Sequence, residues 1–104
     1  CAMSDRFKNA FTGEKLILAF DYSAELAAGE TVTGTPTVEI TVTDGVDPAP
    51  DALKNGLAEI VAGGVVLQPI DPLVADVGYR LKVLADTSNP LKRLACVGKL
   101  YVES

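Results

Sequence analysis

Three aspartates in one proline-containing loop, Asp44, Asp47 and Asp51, are the side chains whose type and spacing come nearest to a known chemistry. Clustered carboxylate oxygens are the ligands that calcium prefers, so these residues could gather around a calcium ion. The spacing fits no EF-hand loop, because the glycine and the terminal glutamate are misplaced. We therefore predict no metal and no other cofactor, with calcium at this loop as the alternative.

The residue types that most often carry catalysis are missing or poorly placed. The chain contains no histidine, which removes the commonest general base and the commonest transition-metal ligand. Cys96 lies in the apolar segment 94–97, where free cysteine usually packs as a small hydrophobe; as a nucleophile it would lack a base. Asp21, beside Tyr22 and Ser23, is typical of a turn or cap. These observations predict a protein that is not an enzyme.

The net charge and the hydropathy of the chain indicate which classes of partner it should bind poorly. The 104 residues carry 9 basic and 14 acidic side chains, a net charge of −5, with no run of lysine or arginine. DNA, RNA and anionic membranes are therefore expected to be poor partners. No apolar segment approaches the roughly 20 residues that cross a bilayer, and the opening residues lack the apolar core of a secretory signal. We expect a single domain that is made in the cytoplasm.

The N-terminal residues differ in composition from the rest of the chain. Residues 1–13 are polar and predict a flexible, unpaired arm, whereas residues 14–104 predict the folded domain. The first two residues precede a Met-Ser-Asp segment that resembles a natural start, which leaves two alternatives open: Cys1 and Ala2 are native, or they are an added remnant. Phe7 and Phe11 make this a possible interaction arm that docks on its own domain, the favoured alternative, or on a neighbouring subunit. Deleting residues 3–13 should then weaken assembly more than folding.

The segment 76–86, DVGYRLKVLAD, has the clearest periodicity in the chain. The odd-numbered positions from Tyr79 onward are apolar and alternate with more polar residues, which is the period of a half-buried strand. We expect Asp76 and Gly78 to form a turn that delivers Tyr79 to the first inward position, as the corner tyrosine of an immunoglobulin-like sandwich is delivered. The Tyr79 hydroxyl would then bond to a backbone group at this structural corner.

The remaining sequence is mostly extended. Further segments with strand character are 15–23, 31–43, 57–62, 65–70 and 92–103. Pro36 interrupts the second of them, so any pairing before it must lie on an edge or pass through a bulge. The turn signals between them, together with the lack of helical periodicity, predict an all-β two-sheet sandwich of about seven antiparallel strands, with a small open barrel as the alternative. Loops around Gly29, Asp47 and Asn89 are expected at its two ends.

Three segments carry a resemblance to a known family. They are DYSAELAAGETV at 21–32, GGVVLQPI at 63–70 and DVGYRLKVLADTS at 76–88. In these segments the chain resembles small bacteriophage virion proteins of the tail fibre adaptor type, although the family often has tryptophan where this chain has Tyr22. The resemblance implies an immunoglobulin-like β-sandwich that serves, without enzymatic activity, as a multi-copy structural or adaptor part of a phage particle. It also implies a place in the virion, other phage structural proteins as partners, and a homo-oligomeric state.

A second function class remains open at this point. The end loops near Asp47 and Asn89 could form a ligand-binding surface for a glycan or a host surface. An enzyme is the weakest hypothesis, because no recognisable motif places a pair of carboxylates.

Overall fold

The computed structural model describes residues 5–7, 9–61 and 64–104. Within them the chain forms eight strands: β1 (Asp5–Arg6), β2 (Ala10–Phe11), β3 (Leu16–Asp21), β4 (Val32–Asp44), β5 (Glu59–Val61), β6 (Val65–Ile70), β7 (Val77–Thr87) and β8 (Arg93–Glu103). Short 3-10 turns occupy Ser23–Glu25 and Pro50–Leu53. No helix among the described residues is long and apolar enough to cross a membrane.

The described strands form two sheets, as predicted for an all-β sandwich. The large sheet has the order β1-β8-β7-β4, with β2 following β1 along the same edge of β8. The small sheet has the order β3-β6-β5. All pairings are antiparallel except those of β1 and β2, which run parallel to β8. The prediction of antiparallel strands throughout is therefore wrong for the N-terminal pair.

The core lies between the sheets, and the period-two patterns place its residues there. Along β7 the odd-numbered residues from Val77 to Thr87 are buried, and they meet buried residues of β8 such as Leu100. From the small sheet, β3 contributes Leu18 and Phe20, and Tyr22 follows directly after it. The segments predicted at 15–23, 76–86 and 92–103 are confirmed as β3, β7 and β8.

Strand β4 is an exposed edge that the sequence protects. The pairing with β7 shifts register between Thr33 and Thr37, around Pro36, which confirms the predicted irregularity. Further along, the Lys54 ammonium donates a 2.9 Å hydrogen bond to the Val38 carbonyl. A proline and a bulge in an edge strand, and a lysine that binds one of its carbonyls from the following loop, are features that discourage pairing with another chain. This edge is therefore protected against strand addition.

The predicted unpaired arm is in fact paired. Backbone pairs join β1 and β2 to β8, because the N–H and C=O groups at that edge of β8 would otherwise lack sheet partners. Phe7 lies against Gly98, with its ring edge-to-face to Phe20 at 5.5 Å and 84°. Phe7 thus packs on its own domain. The flexibility assigned to the arm stays a prediction.

Candidate functional site

Tyr79, the predicted corner residue, has a hydrogen-bond partner that the sequence did not predict. Tyr79 is fully buried, and its hydroxyl donates to Oδ2 of Asp47 at 2.6 Å. The other oxygen of that carboxylate accepts the Ala49 N–H at 2.9 Å. The expected backbone partner is present as well, since a backbone hydrogen bond from Val74 reaches the same hydroxyl. The carboxylate, which the loop after β4 brings to the phenol, is the additional partner. The corner therefore anchors this loop to the core.

The turn before β7 also differs in detail. It is formed by Ala75 and Asp76, and Asp76 has a left-handed backbone with φ of 62°, which aspartate tolerates better than most residues. Its N–H donates to the Val102 carbonyl at 2.8 Å. Gly78 was predicted to belong to the turn, but it lies within β7 opposite Tyr101, and Val77 is the first inward residue. Asp76 is thus the turn residue, and Gly78 is a strand residue.

A second buried tyrosine also forms a hydrogen bond to the backbone. The Tyr22 hydroxyl donates to the Val83 carbonyl at 2.6 Å, which links the end of β3 to the middle of β7 across the core. Burial, and next the charge of Glu25, raises the pKa of Tyr22. Burial likewise raises the pKa of Tyr79, and the Asp47 carboxylate adds to the effect. Both phenols are therefore structural donors.

The three loop aspartates do not come together around a common point. Asp44 accepts the Gly45 N–H, Asp47 is held by Tyr79, and Asp51 faces Lys54 at 3.7 Å. Among the residues that the structure describes, no group of three or more acidic or sulfur side chains could hold a metal ion. The calcium alternative therefore gains no support from the arrangement.

Cys96 differs from its predicted state. It is buried in β8, as expected of a small hydrophobe, but it is disulfide-bonded and not a free thiol. The only other cysteine of the sequence, Cys1, lies outside the described residues. A nucleophilic role, which requires a thiolate, does not fit this state.

Residues of the segment 21–32, which carries the family resemblance, form hydrogen bonds and an ion pair that stabilise the fold. Asp21 accepts the Ser23 N–H at 2.9 Å, and this bond lowers the pKa of its carboxyl. Glu30 forms a 2.7 Å ion pair with Lys92, although its side chain is only 8% exposed. Thr87 donates to the second oxygen of Glu30 at 3.3 Å. The bonds of Glu30 attach the loop after β3 to the β7–β8 hairpin. No local pattern in the sequence predicts these contacts, which join residues 57 and 62 positions apart.

Three exposed apolar side chains and several carboxylates lie at one end of the sandwich, which we call the acidic end. The strand registers place the start of β3, the end of β4, the start of β7 and the end of β8 at the same end of the sandwich. Phe11, Val46 and Val74 are 51%, 82% and 39% exposed there. The same end carries five carboxylates: Glu14, Asp44, Asp71, Asp76 and Glu103. Exposed apolar side chains rimmed by polar ones are typical of protein–protein contacts.

A shallow cleft lies beside this end on the outer face of the large sheet. Gly78 forms its floor, and Thr43, Lys99 and Tyr101 are among its walls. A side chain at position 78 would crowd Thr43 and the neighbouring Asp44, so glycine keeps the cleft open. The cleft combines one aromatic ring with hydroxyl and charged groups. The loops near Asp47 and Asn89 do not form it together, because they follow opposite ends of the strands.

Comparisons with known proteins identify no relative. The sequence matches no protein-family model, and neither the curated proteins nor the solved structures give a significant match.

Proposed function

We propose that this protein is a non-enzymatic structural or tail adaptor protein of a bacteriophage particle, which assembles through protein–protein contacts. The observation that carries the proposal is the acidic end, where Phe11, Val46 and Val74 are exposed at the same end of the sandwich. Leaving such side chains in water forgoes burial energy, which a docking partner would recover. The partners would be other phage structural proteins and further copies of this chain, in a virion whose parts are made in the host cytoplasm.

The finer fold in this proposal is an immunoglobulin-like sandwich. Its support is the strand order in the two sheets. The order β3-β6-β5 matches the second, fifth and fourth strands of that fold, and the order β8-β7-β4 matches its seventh, sixth and third strands. Tyr79 near the start of β7 occupies the position of the corner tyrosine. One feature departs from the constant-type pattern: the first strands pair with β8 and not with β3.

The family resemblance supports the phage assignment through residues that determine structure. Asp21 and Glu30 make turn and loop contacts, and Tyr22 crosses the core. These contacts make the segment 21–32 rigid, and a rigid sandwich is suited to present its surfaces at fixed positions. Of the two phenylalanines in the possible interaction arm, Phe7 packs against Phe20 of the core. We therefore assign the proposed contact to Phe11, which is exposed.

Quantitative mass spectrometry of density-purified particles tests this function. We expect the chain to co-purify with tail or capsid proteins in several copies per particle. Phe11→Ser should reduce incorporation without lowering the melting temperature, because this side chain is half exposed. Leu91→Ser, which changes an exposed apolar residue in the β7–β8 turn, is the control and should leave incorporation unchanged. Particles that lack the chain entirely would contradict the proposal.

The cleft beside Tyr101 favours glycan binding as a second candidate. Sugars stack on aromatic rings and hydrogen-bond to hydroxyl and charged groups, which Tyr101, Thr43 and Lys99 supply at one place. Glycan-array binding that is lost in Tyr101→Ala and retained in Tyr101→Phe would support this function. Binding that survives Tyr101→Ala would place any glycan elsewhere.

A further inference from the structure

The outer face of the large sheet carries a cationic group of residues that the sequence does not reveal as a run. Arg80 of β7 lies directly opposite Lys99 of β8, and both point away from the core. Lys82 follows on the same face of β7, two residues along. On the far side of β8, the backbone register places Arg6 opposite Lys99. We call Arg80, Lys82 and Lys99 the cationic face.

The fold itself does not explain this arrangement. Like charges directly opposite each other on neighbouring strands are destabilising. Glu39 is the cross-strand neighbour of Lys82, yet in the described part of the chain none of the three cations forms an ion pair with a carboxylate. By contrast, Lys54, Lys92 and Arg93 elsewhere each have an acidic partner. The cationic face is therefore free to meet an anionic partner.

The same molecule presents a surface of matching character. At the acidic end, the Asp71 and Glu103 carboxylates form no ion pair within the described residues. They lie at the same end of the sandwich as the exposed Phe11, Val46 and Val74. With a net charge of −5, copies of this chain repel each other unless opposite charges meet. Orienting one copy's acidic end toward another's cationic face is the arrangement that brings them together.

We propose that the acidic end of one copy docks on the cationic face of the next. This inference rests on the proposed multi-copy assembly and specifies its contact. The two surfaces differ, so the contact is heterologous and can close into a ring or continue as a row. Leu84 and Val97, on the same outer face, provide apolar contact for Phe11 and Val46 of the neighbour.

The area of the contact indicates whether it belongs to the stable or to the weak class of protein–protein interfaces. The molecule measures 43 × 24 × 20 Å, so the end presents the two shorter dimensions. Such an end covers about 500 Å² on each partner, which is within the range of weak, transient interfaces. Isolated copies should thus associate only at high concentration and low salt, because exposed charges are screened over about 10 Å at 0.1 M salt. In a particle, attachment to a scaffold would raise the effective concentration and stabilise the contact.

A charge-exchange experiment on the full chain tests the contact. Asp71→Lys with Glu103→Lys removes most of the negative charge of the end, and Arg80→Glu with Lys99→Glu makes the face acidic. Each double variant alone should self-associate at least about tenfold more weakly than the wild type, since the attraction between end and face is lost in the first and becomes repulsion in the second. An equimolar mixture of the two should regain association, because each variant then meets its complement. Sedimentation velocity over a concentration series, at low and high salt, measures this.

Controls separate the contact from folding and net charge. Asp21→Lys with Glu59→Lys applies the same change in net charge to exposed residues outside both surfaces, and it should associate more strongly than the variant with lysine at positions 71 and 103. Circular dichroism should show the same sheet content in every variant. Equal association of all variants, or a mixture no stronger than its components, would overturn the proposal. So would tight binding of heparin to the wild type with no self-association, since the cationic face would then serve an anionic polymer.

The outcomes also distinguish this contact from the proposed function. Particles that incorporate both double variants as well as the wild type would refute the copy-to-copy contact and leave the structural role intact. Absence of the wild type from particles would refute the structural role, whatever the sedimentation result.

Discussion

The phenol of Tyr79 donates a 2.6 Å hydrogen bond to the carboxylate of Asp47, across 32 residues of sequence. This bond joins the loop after β4 to the start of β7 in the core. Val46, one residue before Asp47, is among the exposed apolar residues of the acidic end. A buried structural residue thus fixes the position of a surface that we assign to assembly.

Removing the Tyr79 hydroxyl should destabilise the fold by a measurable amount. Because the acceptor is a carboxylate, we expect Tyr79→Phe to lower the free energy of unfolding by about 1.5 kcal/mol in chemical denaturation. Tyr101→Phe is the matched control, since its hydroxyl forms no hydrogen bond among the described residues. The control should stay within about 0.5 kcal/mol of the wild type. Equal effects of the two variants would argue against the Tyr79–Asp47 bond.

The buried tyrosines predict a loss of stability at high pH. Burial raises the pKa of Tyr22 and Tyr79 in the folded state, whereas in the unfolded chain they ionise near the ordinary value of about 10. Their contribution is therefore complete below about pH 10 and is lost as the pH rises toward the folded-state pKa. Unfolding free energies measured across this range should fall. Replacing both tyrosines by phenylalanine should flatten the decline, and an unchanged slope would contradict the assignment.

The packing of Phe7 on Gly98 can be tested by a double-mutant cycle. A Cβ at position 98 would overlap the Phe7 ring, so Gly98→Ala should cost about 1–3 kcal/mol of stability. In a Phe7→Ala background the same substitution should cost much less, because the overlapping ring is gone. Strictly additive effects in thermal unfolding would show that the arm does not pack against β8.

The contact between Glu30 and Lys92 predicts part of the acid sensitivity. The hydrogen bond from Lys92, followed by that from the Ala27 N–H, lowers the pKa of Glu30 in the folded state. The stabilisation is present above the ordinary glutamate pKa, near 4.3, and is lost as the pH falls through the lowered value. Glu30→Gln should therefore lower the melting temperature at neutral pH and reduce its further fall in acid. Glu59→Gln, an exposed change in β5, should alter neither.

Period-two patterns in the sequence were sufficient to predict the long strands and the inward faces of β3, β7 and β8. Pro36 predicted the irregularity in β4 for a local reason, because proline cannot donate to a ladder. The two-residue strands β1 and β2 were missed, since so short a segment shows no period. Their pairing depends on the free edge of β8, which is a property of the folded sheet.

Local sequence patterns could not predict which side chains, far apart in the sequence, contact each other in the fold. Asp47 was recognised as a notable carboxylate, but its partner Tyr79 could be known only once the loop was placed. The cationic face arises because the β7–β8 register aligns Arg80 with Lys99, which are 19 positions apart in the numbering. The absence of a basic run in the sequence therefore did not predict the charge distribution on the surface.

The proposed role in a phage particle is tested most directly by electron microscopy of virions that carry a labelled copy of this chain. Negative-stain images should show the label repeated at a fixed position on the particle, because a multi-copy structural protein occupies equivalent sites. Well-formed particles without the label, from cells that produce the labelled protein in soluble form, would contradict the proposed function.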